Sequence, residues 1–309
     1  MSNEPRRPDE KPHQGLHADQ DPKATKKAKG GPGEQQQEWP GHESEMRPQA
    51  DHGEESYRGA QKLSGMRALV TGGDSGIGRA VAIAFAREGA DVSIAYYDEH
   101  DDAEETARWV READQRAVCI PGDLAEREHC QEVVRRTVEE LGGLDIVVNN
   151  AAIHCEQTDF TDISAEQLER TFRTNIFAYI WVAQAASEHL DEGDSIINTG
   201  SVTGLGGHPS LLDYAATKGA IHNFTKSLAQ SLSERGIRVN CVAPGPVWTP
   251  LIPATRPAEK VEEFGSDTFW KRPAQPAELA PSYVFLASAD SRYYSGEILA
   301  PTGRPNTTR

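Results

Sequence analysis

From residue 66 onward, short runs of Val, Ile, Leu and Ala alternate with longer stretches in which apolar residues return every three or four positions. The short runs are too brief for helices and are bounded by polar or glycine-containing turns, so they read as strands buried on both faces. They fall at Arg67-Ala68-Leu69-Val70, Val92-Ser93-Ile94-Ala95, Val118-Cys119-Ile120, Asp145-Ile146-Val147-Val148, Ser195-Ile196-Ile197-Asn198, Ile237 to Val242, and a last short run near Ile298. Helices are predicted from Gly76 to about Glu88 and over about 102–113, 126–141, 164–189 and 212–235. Strand-helix alternation requires right-handed crossovers, which predicts an α/β fold: one doubly wound domain with a mainly parallel seven-stranded sheet and helices on both faces. Residues 246–273 break this rhythm with five prolines beside Trp248, Leu251, Ile252, Phe264 and Trp270, and they predict an irregular flap over a site.

The front of the chain follows a different pattern. Between residues 1 and 58 the apolar residues larger than alanine are Met1, Leu16, Trp39, Met46 and Tyr57, while seven of the 19 prolines fall there. So little apolar surface does not offset the entropy of ordering the segment, which predicts a polar, largely disordered tail over 1–58 and a folded domain over 59–309. Disorder is expected most clearly up to about residue 35; residues 46–58 are the part able to lie along the domain, with Trp39 and Tyr57 as candidate anchors.

Charge removes several function classes. Asp plus Glu is 48 against 32 for Lys plus Arg, a formal net charge of −16, of which the first 58 residues carry only −3 from nine basic and twelve acidic side chains. An acidic folded domain argues against a nucleic-acid or anionic-membrane surface. The four cysteines, Cys119, Cys130, Cys155 and Cys241, have no metal-ligand spacing and fit a reducing compartment. With no 18-residue apolar run and no apolar leader, a cytoplasmic location is expected.

Candidate chemistry gathers at the expected strand ends. Directly after the first strand comes Thr71-Gly72-Gly73-Asp74-Ser75-Gly76-Ile77-Gly78, opening a helix. Glycines there allow a tight turn and let backbone N–H groups approach a pyrophosphate at the helix N-terminus. Asp123, Asn149 and Asn150 follow the third and fourth strands, and each has the plainer reading of a cap or turn residue. Tyr214 and Lys218 lie four residues apart, one turn along a single helix face. Ser201 ends the fifth strand and Asn175 lies in the preceding long helix, so three elements bring polar side chains toward one edge.

The motifs TGGDSGIG, NNAA, Asn175, Ser201, YAATK and NCVAPGPVWT together resemble the short-chain dehydrogenase/reductase family over about residues 60–303. The stretch from Met46 to Leu63 further resembles an N-terminally extended bacterial subgroup of stress-associated, aldehyde-reductase-like oxidoreductases. The resemblance implies a Rossmann domain and an NAD(P)-dependent enzyme acting on alcohol and carbonyl groups. It gives Tyr214 as acid/base, Lys218 as the group that lowers its pKa and binds the nicotinamide ribose, Ser201 as polariser of the substrate oxygen, and Asn175 as support for a relay water. It also implies dinucleotide contacts at Gly72, Asp74, Ser75, Gly76, Ile77, Gly78, Tyr96, Asp123, Leu124, Asn150, Ala151, Tyr214, Lys218, Pro244, Gly245, Val247 and Thr249, and a homotetramer.

Bringing a phenol from its ordinary pKa near 10 to ~7 takes roughly 4 kcal/mol of differential stabilisation, which an ammonium and an oxidised nicotinamide together can supply. Two departures stand out: Ala152 replaces a usual glycine, and Pro301-Thr302-Gly303-Arg304 replaces a usual VNGG, so Pro301 is expected to truncate the last strand. Tyr96 stands where an NAD enzyme commonly has an acid, and no Lys or Arg occurs between Arg87 and Arg108, which predicts use of both NAD and NADP with a lean to NAD; Arg79 is the one nearby cation able to turn back toward a phosphate. Leu211, Leu212, Val247, Trp248 and the flap are expected to wall a pocket for a small apolar aldehyde or ketone, with His154 and His208 as loop histidines beside it. The alternatives are a non-catalytic dinucleotide sensor, a stress-protective module acting through its tail, and an enoyl-thioester reductase; the intact four-residue set and the Tyr–Lys spacing speak against the first and the last.

Overall fold

A computed structural model describes residues 31–304, within which the seven strands β1 (Arg67–Thr71), β2 (Asp91–Tyr96), β3 (Ala117–Pro121), β4 (Ile146–Asn149), β5 (Ser195–Thr199), β6 (Arg238–Val242) and β7 (Ile298–Leu299) form one sheet. Every pairing is parallel, in the order β3-β2-β1-β4-β5-β6-β7. The chain starts mid-sheet at β1, runs outward to β3, and returns past β1 to β4. The connections diverge between β1 and β4 and leave a crevice there at the carboxyl ends of the strands.

The helices are α1 (Gly76–Arg87), α2 (His100–Glu112), α3 (Arg127–Leu141), α4 (Ala165–Phe172), α5 (Ala178–Ala186), α6 (Val202–Gly206), α7 (Leu212–Leu232), α8 (Leu251–Thr255), α9 (Ala258–Glu262) and α10 (Pro276–Ala287). One face of the sheet buries the alanine-rich side of α1 with Phe85, Ala103, Val110, Leu279 and Tyr283; the other buries Val133, Val134, Val182, Ala183, Ala229 and Leu232. The expected helix over 164–189 is interrupted by a π-helical turn, Arg173–Phe177, between α4 and α5. Helix α10 has no counterpart in the sequence reading, because it is apolar nearly all round and carries Pro276 and Pro281. Pro276 sits at its first position, where a missing N–H costs nothing, and packing against α1 outweighs the bond lost at Pro281.

The boundary expected at residue 58 shifts. Residues 31–58 are packed on the domain: Met46 and Ala50 join Trp248, Ile252 and Val261 in a separate apolar cluster, and Glu43 and His52 are buried. Tyr57 anchors as expected, its hydroxyl donating to Glu88 at 2.6 Å. Composition averaged over 58 residues hides this, because one methionine in a fitted pocket and a few carboxylates with N–H partners suffice to hold a short strap. The expectation for residues up to about 35 falls largely outside the described residues. The irregular flap becomes α8 and α9, and its two ends are pinned by Trp248 N–H to Ala274 O and Ala274 N–H to Pro246 O, each 2.9 Å. As Pro301 predicts, β7 is only two residues long.

Candidate active site

A cavity of about 740 Å³ runs along the carboxyl edge of the sheet. Its floor begins at the glycine-rich loop, where Gly72, Asp74, Ser75, Gly76 and Ile77 face the opening. Gly78 does not line it: a Cβ there would lie 1.8 Å from the Gly72 carbonyl oxygen, so its part is to let α1 close onto the loop. Tyr96, Asp123, Leu124, Asn150, Ala151, Pro244, Gly245, Val247 and Thr249 also line the cavity, so of the residues expected at the cofactor only Gly78 stands back. The edge holds together by local bonds: Thr71 Oγ1 accepts from the N–H groups of Asn150 and Ala151, and Asn150 Nδ2 donates to the Thr71 and Gly72 carbonyls. An elongated cleft with a glycine cradle at a helix N-terminus fits a dinucleotide.

At the β2 end two carboxyls face each other. Burial and the Glu99 charge push the Asp74 carboxyl up to about 7, and burial also raises Glu99. Arg79 gives these groups no exposed cation and lies away from the opening: Nε donates to Asp74 O and Thr106 Oγ1, and Nη2 to Asp102. Turning back toward a phosphate would break these bonds to Asp74, Asp102 and Thr106. Arg170 lines the same end but is bound to Asp123 at 2.5 Å.

Ser201, Tyr214 and Lys218 share the opposite wall. Ser201 caps α6, its Oγ accepting from both Thr203 N–H and Thr203 Oγ1–H, and its hydroxyl acts to lower the Tyr214 phenol. Lys218 Nζ donates to the Thr199 carbonyl at 2.8 Å and stands 5.4 Å from the Tyr214 ring centre. Asn175 lies in the π-helical turn, fully buried; its carboxamide accepts from Ile153 N–H and donates to Ile153 O, each 2.8 Å. It does not itself line the cavity, but it fixes a loop that does.

Burial dominates the protonation that the protein's own groups impose on this wall. Burial pushes the Tyr214 phenol up to about 12 against the opposing Ser201 hydroxyl and Arg256 guanidinium, and burial pushes the Lys218 ammonium down to about 7. The reason is that the ammonium is spent on a backbone carbonyl in a dry wall, so desolvation outweighs its pull on the phenol.

The far end of the cavity is more polar than expected. Trp248 is buried and turned to the N-terminal strap, its Nε1–H donating to Pro48 O at 2.9 Å, and Leu212 is exposed on α7 away from the opening; Leu211 and Val247 do line it. In their place stand His154, whose ring meets the Tyr214 ring edge-on at 5.2 Å, and Arg256 from the flap. His154 Nδ1 and Arg256 Nε are buried here without a hydrogen-bond partner among the described residues. Burial holds His154 down at about 3, so it is a neutral ring at physiological pH. No sequence signal marks Arg256, because its place depends on how the flap folds.

A family model described as Enoyl-(Acyl carrier protein) reductase matches residues 72–303. General stress protein 39 of Bacillus subtilis is 52% identical over 272 residues, covering 88% of this chain and 95% of that protein. Glucose and ribitol dehydrogenase of Daucus carota is 49% identical over 278 residues, covering 88% and 96%. Among solved structures, a short chain dehydrogenase from Burkholderia cenocepacia J2315 in complex with NADP superposes with a TM-score of 0.75 at 34% identity, covering 80% of this chain and 100% of that one.

Proposed function

This chain belongs to the short-chain dehydrogenase/reductase family and is an NAD(P)-dependent oxidoreductase, and on that premise we propose that it interconverts a small aldehyde or ketone and the corresponding alcohol. The observation that carries the reading is the convergence of Ser201, Tyr214 and Lys218 on one wall of a cavity whose opposite end is the glycine-rich cradle. Bound along the strand edge, the nicotinamide dinucleotide supplies or takes the hydride. As negative charge grows on a carbonyl oxygen, the Ser201 hydroxyl donates to it and Tyr214 passes its own proton across. A phenol held protonated by burial suits that direction. Lys218 holds the Thr199 carbonyl and faces the ribose, and Asn175 fixes the Ile153 peptide beside which the proton is restored.

The unpartnered polar atoms of His154 and Arg256, both in the cavity wall, favour a substrate that carries hydroxyl groups beyond its carbonyl over a purely apolar one, because buried donors and acceptors left unpaired cost about 1–3 kcal/mol each. The relative named glucose and ribitol dehydrogenase supports the same preference. A panel of apolar aldehydes, simple ketones, sugars and sugar alcohols, followed by nicotinamide absorbance, tests it; turnover confined to the apolar members would overturn the hydroxylated class.

We hold the cofactor to be either NAD or NADP with a lean to NAD, since Asp74 and Glu99 line the β2 end of the cavity and among the described residues the cations nearest them, Arg79 and Arg170, are taken up by Asp102 and Asp123. The ratio of kcat/KM for the two on one substrate decides it: a preference for NADP above about a hundredfold, about 2.7 kcal/mol, defeats the lean. We further take the enzyme to be a cytoplasmic homotetramer; among the described residues no helix is long and apolar enough to cross a membrane.

A further inference from the structure

We propose that Trp39, delivered by the N-terminal strap and paired with Tyr97, is an added wall of the adenosine subsite on which the cofactor's adenine stacks. This rests on the reading of the cavity as a dinucleotide site.

Trp39, Pro40 and Gly41 line the same cavity as Tyr96, Tyr97, Asp123 and Leu124. Those last four stand at or just after the carboxyl ends of β2 and β3, the half of a doubly wound sheet that takes the adenosine part of a dinucleotide, whereas Tyr214 and Ser201 stand beyond β4 at the reacting end. The Trp39 and Tyr97 ring centres are 5.3 Å apart at 51°, and both rings are left substantially exposed, at 44% and 38%. The rest of the strap treats its apolar residues differently, burying Met46 and Ala50 against the flap. A pair of large aromatic rings half in water at the mouth of a cavity forgoes burial unless something flat covers it. A purine does so without demanding a hydrogen-bond pattern, and base–aromatic stacking contributes about 1–3 kcal/mol.

The strap is fixed closely enough to present that ring. Gln37 N–H donates to Pro253 O at 2.9 Å. Gly41 has φ +88°, and a Cβ there would lie 2.8 Å from Pro250 O and 2.9 Å from Ala254 Cβ, so the chain turns where only glycine fits against the flap. Beyond the turn, Glu43 is buried; its Oε2 accepts from Gly76 N–H at 2.9 Å, its backbone N–H donates to Asp102 Oδ2 at 2.9 Å, and His52 Nε2 stands 3.2 Å from the carboxylate. Trp39 is therefore tied through four residues of chain to the very loop that cradles the pyrophosphate. The Arg170 guanidinium lies 5.8 Å from the Tyr97 ring centre, a second contact on the tyrosine.

The test is equilibrium binding of NAD, ADP-ribose and nicotinamide mononucleotide by calorimetry to the full-length wild type, Trp39→Ala and Trp39→Phe. Trp39→Ala is expected to weaken NAD and ADP-ribose about tenfold, or about 1.4 kcal/mol, leave the mononucleotide within twofold (roughly the noise of such a comparison), and be largely rescued by Trp39→Phe. Wild type that binds ADP-ribose, with Trp39→Ala binding it equally well, defeats the stacking role while leaving the dinucleotide site standing. Wild type that binds neither NAD nor ADP-ribose defeats the dinucleotide reading itself and this inference with it.

Discussion

Tyr214 and Lys218 show how a spacing of four residues places two groups together while burial, which no spacing records, sets the protonation their surroundings favour. The spacing puts both on one helix face, but the protein's own groups hold the phenol at about 12 and the ammonium at about 7, because the dry wall penalises both charged forms. Any lowering of the phenol in the working enzyme thus has to come from charge that arrives with the ligands. Replacing Tyr214 by Phe removes only the transferable proton; turnover is expected to fall to a few per cent or less while NAD affinity measured by titration stays nearly intact, and Ser201→Ala is expected to do almost as much damage. Substantial turnover by Tyr214→Phe on the best substrate contradicts the assignment. Asp74 supplies a second prediction. Its carboxyl, ordinarily near 3.8, titrates at about 7 here, so it is neutral below that pH and negative above it. A 2′-phosphate meets an added negative charge as pH rises from 6.5 to 8.5, and the ratio of NADP to NAD affinity is expected to fall several-fold across that window, about 1 kcal/mol, the scale of one like-charge contact screened by water. Asp74→Asn is expected to flatten the dependence; an equally steep slope in that variant would assign the titration to another group.

Between residue and fold lie the elements that the hydrophobic period could not resolve. The stretch over 164–189 has one continuous helical period, yet the π-helical turn at Arg173–Phe177 inserts an extra residue and swings Asn175 inward to clamp Ile153. Such turns recur at functional sites, and a period of 3.6 cannot reveal one. The strap is the larger case. Met46 is fully buried among Trp248, Ile252 and Val261, so Met46→Ala is expected to cost about 2–5 kcal/mol, seen as a drop in Tm of roughly 4–20 °C for a chain of this size. A change below a degree would mean that the strap is not held. Glu43 provides the pH signature. Burial alone would raise its carboxyl, but His52, Arg79 and the Gly76 N–H together hold it below the ordinary range. A depressed carboxyl stabilises the fold above its unfolded pKa of about 4.3 and loses that contribution as pH falls through the folded value. Glu43→Gln is therefore expected to lower Tm at pH 7, with the gap to wild type closing below pH 4; a gap that widens toward acid would reverse the sign.

At the scale of the whole molecule, the π-helical turn ends on Phe177, 41% exposed and 5.8 Å ring to ring from Trp181 of α5, and α5 and α7 add the partly buried Ile180 and Phe224. Four copies closing over that surface would give about four times 33.8 kDa in light scattering. A single-chain mass would overturn the tetramer, and the two-residue β7 before Pro301 would be the place to look for the cause. The order of strands and helices, the cradle at Gly72–Gly78 and the alignment of Tyr214 with Lys218 were legible in the sequence because each depends on neighbours within a few residues along the chain. So was the row of polar residues at the sheet edge, since strand ends fix it once the crossovers are right-handed. Only the tertiary structure decided that Trp248 faces the strap and not the substrate, that residues 31–58 pack at all, that His154 and Arg256 reach Tyr214, and that Arg79 belongs to Asp102. Those outcomes turn on burial and on contacts between residues 200 and more positions apart. Desolvation depends on everything that surrounds a group, and a local pattern holds no record of what the fold will place beside it.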